Sequence, residues 1–64
     1  MMDYDHLRIR ALELLRRDWV SPSQLARELG IDILDAKAIL RDLSRRGLVY
    51  RDGPLYIARE GVVA

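Results

Sequence analysis

Lys37, Arg41 and Arg45 recur at every fourth residue, a spacing that stacks side chains on one face of a helix. Leu34 and Ala38 share that face, opposite an apolar stripe of Ala36, Ile39, Leu40 and Leu43. Arg51 follows in a stretch that alternates like a strand. A row of ammonium and guanidinium groups can hold anions, phosphate above all. The same row also fits an ordinary solvated helix face. Bond-breaking chemistry has no comparable set of residues. The chain has one histidine, His6, and no cysteine, and its glutamates are scattered at 13, 28 and 60. Catalysis needs such groups gathered in a pocket. The glycines at 30, 47, 53 and 61 read as turns, stops and tail and not as a phosphate-binding loop. No enzyme, no cofactor and no metal site is therefore expected, and His6 reads as a surface residue.

The chain has 64 residues, enough for one small domain. A domain near this size buries only about 60% of its unfolded surface, and without cysteine no disulfide can supplement that core. Association with another chain is the remaining way to add buried area. Neither an apolar run of about 20 residues nor a signal peptide is visible, so a cytoplasmic protein is expected. The formal charge of +1 is unevenly spread. Residues 1–35 hold five arginines and seven acids, a sum of −2, and residues 36–64 hold six basic residues and three acids, a sum of +3. The arginine-rich basic set, the absence of asparagine and the single glutamine suit a heat-adapted source.

These side chains need elements to position them. A first helix is expected at about 3–17, capped by Asp3, with Asp5 near its positive end. Around Leu15, Tyr4, Leu7, Ala11 and Leu14 fall to one side, and Ile9 and Leu12 to the other. This stripe is about twice the roughly 100° that a core-facing helix requires. The excess predicts a homodimer interface of Leu7, Ile9 and Leu12. Arg8 falls inside the stripe, either to pair with an acid across that dimer or to mark where the core runs out. Trp19-Val20 reads as a short strand, with Trp19 plugging the gap between the first helix and the sheet. Ser21 caps a second helix at about 22–29, with Pro22 at its first position and Gln24 placed to close a capping box. Leu25, Ala26 and Leu29 form its inner face, and Gly30 ends it. Asp32 caps a third helix at about 33–46, stopped by Gly47. Strands at 48–51 and 55–58 flank Asp52-Gly53-Pro54, a hairpin signal, whose proline suggests a loop longer than two residues. Residues 59–64 read as a loose tail unless Val62-Val63 docks on a partner.

The spacing of Leu25, Ala26, Leu29, Gly30, Ala36, Leu40, Leu43, Gly47, Leu48 and Val49 resembles the winged helix-turn-helix superfamily, especially its small bacterial and archaeal repressor types. The pattern covers about two-thirds of the chain. The resemblance implies one α+β, mainly α domain over 1–64, a three-helix core with a small three-stranded antiparallel sheet. It also implies binding to double-stranded DNA through the third helix and the wing, 48–58. In that arrangement Arg41 can place two donors on a guanine edge. Lys37 and Arg45 suit phosphates, and Leu34 and Ala38 can touch thymine methyls. Arg51 suits the minor groove or a phosphate, and Ser23 a phosphate at the start of the second helix. Arg27 and Arg46 can add to a positive rim. Tyr50 and Tyr56 read as sheet packing. Asp35 reads as an acid favouring its helix terminus over a reader of cytosine. Gly53-Pro54-Leu55-Tyr56 also looks like the wing of the variant that binds left-handed DNA. That variant reads with an asparagine and a tyrosine, where this chain has Lys37 and Arg41, so left-handed recognition is not expected.

Two functional readings follow. One is a DNA-binding transcriptional regulator, acting as a homodimer. The alternative is a protein-interaction winged-helix module within a larger nucleic-acid-processing or transcription assembly, for which low net charge, Asp35, Asp42, Leu34 and Ala38 speak. A continuous positive surface along Lys37, Arg41, Arg45 and Arg51 favours DNA. Interruption by Asp35, Asp42 and Asp52 favours protein.

Overall fold

The computed structural model describes residues 4–59. Asp3, expected as the first cap, and residues 60–64 with Val62 and Val63 lie outside the described residues. Three helices, α1 (Tyr4–Leu15), α2 (Pro22–Leu29) and α3 (Ile33–Arg45), precede a hairpin of β1 (Val49–Asp52) and β2 (Leu55–Ala58). The fold is mainly helical with a small two-stranded antiparallel sheet.

Local chemistry sets each boundary. Ser21 Oγ accepts the Gln24 N–H at 3.2 Å, and Pro22 occupies the first helical turn, where its missing donor costs nothing. Gly30 closes α2 with φ +66, a conformation that only glycine adopts freely. The Gly30 N–H donates to Arg27 O at 3.4 Å and the Ile31 N–H to Ala26 O at 2.9 Å. These two bonds make a Schellman stop. Asp32 Oδ1 then accepts the Leu34 N–H at 3.0 Å and starts α3. The same pair of terminal bonds recurs at the far end, from Gly47 to Ser44 and from Leu48 to Leu43, both 3.0 Å. The first helix is shorter than expected. It lacks a glycine stop, and its last turn tightens as the Arg17 N–H reaches Leu14 O at 3.2 Å.

The expected third strand is reduced to one residue. Val20 and Tyr56 exchange two backbone bonds of 2.9 Å, an isolated bridge beside the two-stranded ladder. The cause is a short connection: Val20 is followed at once by the α2 cap, Ser21, so no further extended residue is available. The hairpin also differs from expectation. Asp52 pairs with Leu55, leaving a loop of only Gly53-Pro54. Gly53 has φ +60, and proline fixes a negative φ at the next position, the sign pattern of a II′ turn. Proline therefore completes a two-residue loop here and does not lengthen it.

The core gathers Leu7, Ala11 and Leu15 from α1, Leu25, Ala26 and Leu29 from α2, and Ala36, Ile39, Leu40 and Leu43 from α3. Val20, Val49 and Ala58 close it. Among the described residues no polar or charged side chain is buried. Three expectations need correction. Leu7 belongs to this core, only 9% exposed, and is not part of a free face. Trp19 is 38% exposed, and its neighbour Val20 is the residue buried in the core. Arg8 pairs within its own chain, with Asp5 and Asp42.

Candidate nucleic-acid interface

Helix α3 has two flanks. Measured from Arg41 at about 100° per residue, Lys37 and Ser44 lie about 40–60° to one side, and Asp35 and Asp42 about 100–120° to the other. The hairpin occupies the first flank and α1 the second. Between α3 and the hairpin lies a cleft of about 360 Å³, lined by Pro22, Lys37, Arg41, Ser44, Arg51, Gly53, Pro54 and Tyr56.

The cationic groups in the cleft are held to different degrees. Arg51 is held at two points: its Nε donates to Gly53 O at 2.9 Å, and its guanidinium carbon sits 5.9 Å from the Tyr56 ring centroid. Register explains the second contact, because Arg51 and Tyr56 are paired across the hairpin. Lys37 and Arg41 enter from α3 and are exposed. No carboxylate lines the cleft.

The acids of α3 turn to the opposite flank. Asp35 Oδ1 accepts the Tyr4 hydroxyl at 3.2 Å. Asp42 Oδ2 accepts Arg8 Nη1 at 3.2 Å and Arg46 Nε at 3.1 Å. Arg8 also pairs with Asp5. The hydrogen bond to Asp35, with the carboxylate charge beside it and slight desolvation, holds the Tyr4 phenol above its ordinary 10.0.

Of the residues singled out in the sequence, Lys37, Arg41 and Arg51 meet in the cleft. Arg45 is exposed but leans toward the α1 flank, outside it. Leu34 is 71% exposed near the start of α3, and Ala38 is half-buried toward α1. The Ser23 hydroxyl lies 3.2 Å from that of Ser21, engaged with the cap. Arg59, in the expected tail, is anchored: its N–H donates to Leu48 O at 2.8 Å and its guanidinium lies 5.5 Å from the Tyr50 ring centroid. Ser44, Pro22 and Pro54, which the sequence reading gives no site role, also line the cleft, as does Tyr56, read there as sheet packing. Ser44 was readable, being three residues after Arg41 and seven after Lys37, on the same helical face. A three-residue loop would set Arg51 opposite Leu55, whereas the two-residue loop sets it opposite Tyr56.

The arrangement is suited to gripping an anion from two sides. Among the described residues, no three of His, Asp and Glu gather where they could hold a metal ion. No described helix is long and apolar enough to cross a membrane. Comparison of the chain with models of protein families, with curated proteins and with solved structures finds no match.

Proposed function

We propose that this chain is a DNA-binding transcriptional regulator of the winged helix-turn-helix type. Helix α3 enters the major groove of duplex DNA, and the β1–β2 hairpin follows the backbone as its wing. The observation that carries this reading is the sorting of charge across α3. Its two acids are bonded to α1, whereas Lys37, Arg41 and Arg51 share a cleft that no carboxylate lines. Phosphate contacts from Lys37 and Arg51 fix the register, and Arg41, at the middle of the exposed face, reads a base edge. Leu34 and Ile33, both exposed at the start of α3, favour a second reading, a docking module for another protein.

Fluorescence anisotropy with random duplex DNA across a salt series tests the proposal. Log affinity falls by about 0.9 per phosphate neutralised on B-DNA, so three cations predict a slope of roughly −3. Arg41→Ala should weaken the best site by about 1–3 kcal/mol and relax preference at one base pair, whereas Lys37→Ala should mainly flatten the slope by about 1. Absence of binding even at low salt overturns the DNA reading and leaves the protein-docking one.

A further inference from the structure

On the opposite flank of α3, α1 and the residues leading into β1 enclose a second hollow of about 280 Å³. Ile9, Leu12, Leu43 and Leu48 supply its apolar lining, and Asp5, Arg8 and Arg46 its rim. Ile9 is 60% exposed and Leu48 is exposed beside it, an apolar strip left wet on a chain with little core to spare. Asp42, outside the lining but bonded to both Arg8 and Arg46, joins the rim charges into a single run. Asp5 bonds Arg8, Arg8 bonds Asp42 at 3.2 Å, and Asp42 bonds Arg46 at 3.1 Å. The order is acid, base, acid, base, and the sum is zero. A polyanion gains nothing from such a rim. A copy of it turned end for end by a two-fold axis reads base, acid, base, acid, so that each charge meets its opposite. The two ends of the run are also its wettest members: the side chains of Asp5 and Arg46 are 81% and 56% exposed.

We infer that a second copy of this chain docks on this face. The dimer is isologous, Ile9 of each protomer entering the hollow of the other and Asp5 of each facing Arg46 of the other. The face is separate from the α3–hairpin cleft, which stays open. The inference stands apart from the DNA reading, and its test contains no DNA.

The test is sedimentation equilibrium of the full chain over a range of protein concentrations. Wild type should populate a dimer. Ile9→Glu should shift it to monomer with an unchanged circular dichroism spectrum, because this exposed side chain contributes little to the fold. Asp5→Arg and Arg46→Asp should each weaken self-association about tenfold or more, since each homodimer then opposes like charges. Mixing these two variants should produce heterodimer in preference to either homodimer, because the mixed pair restores both contacts while the within-chain cost is the same in every species. A wild type that stays monomeric overturns the inference and assigns the hollow to a different protein. An undiminished Ile9→Glu dimer, or a mixture without heterodimer preference, overturns it equally.

Discussion

Arg51 shows how a flexible side chain becomes a positioned one. Its Nε is held by Gly53 O and its plane by Tyr56, so less rotamer freedom remains to be lost when an anion arrives. Tyr4 is positioned by a different device, a hydroxyl proton donated to Asp35. Ionising Tyr4 removes that hydrogen bond and sets two negative charges side by side, which is why its folded pKa lies above 10.0. The sign of the linkage follows. The folded chain holds the proton more tightly than the unfolded chain, so the contact stabilises fully below the unfolded phenol value. That contribution is lost as pH rises through the folded one. Wild type should therefore lose stability toward strongly alkaline pH by a component that Tyr4→Phe lacks. The phenolate absorbance component missing from the variant should titrate above 10.0. A midpoint at or below the ordinary value would show that the Tyr4–Asp35 bond does not form.

At the scale of elements, stops and turns matter more than propensity. Two Schellman endings fix where α2 and α3 finish, and each passes the chain directly into the next element. The hairpin depends on Gly53. Beyond its two chain neighbours, no atom lies within 4 Å of where a Cβ would stand at this residue, so substitution meets no collision and its cost is that of the backbone alone. Gly53→Ala should destabilise by about 1–2 kcal/mol, read as a lower urea midpoint at unchanged slope. Because a strained turn shifts the Gly53 carbonyl that holds Arg51, the same change should weaken the proposed DNA binding by more than lost folding accounts for. Equal affinity for the folded fraction of both proteins would show that the Arg51 anchor has no role in binding.

For the whole molecule, the core is supplied by thirteen buried hydrophobic residues among the described ones. A chain of this length has roughly 3–10 kcal/mol of stability in total. Leu40→Ala, at a site 1% exposed, should cost about 2–5 kcal/mol and bring the protein close to unfolding at room temperature. Leu34→Ala should change stability by less than about 0.5 kcal/mol, since Leu34 lies on the surface. Thermal melts of the two variants check the contrast. A large loss from Leu34→Ala would mean that α3 packs its exposed face on something within the chain. Opposite flanks of one helix also separate two kinds of surface, a cationic cleft against the hairpin and a neutral apolar hollow against α1.

The sequence by itself determined the three helices, the caps of α2 and α3, the Gly30 and Gly47 stops and most of the core. These depend on residues within one or two turns of each other, through periodicity and local hydrogen bonds. Ser21, Asp32 and the Leu25, Ala26, Leu29 stripe are examples. The excess width of the α1 stripe was legible in the same way, and Ile9 does remain exposed. Tertiary structure alone decided which charges are spent. Asp35 and Asp42 lie near Arg41 and Lys37 in sequence, yet they are bonded to Tyr4 and Arg8, more than thirty residues away. It also decided that Leu7 joins the core, that Trp19 stays outside, that the third strand is one residue long and that Tyr56 stands beside Arg51. Each of these depends on how α1 and the hairpin pack against α3, and helical or strand periodicity says which face a residue occupies but not what meets that face.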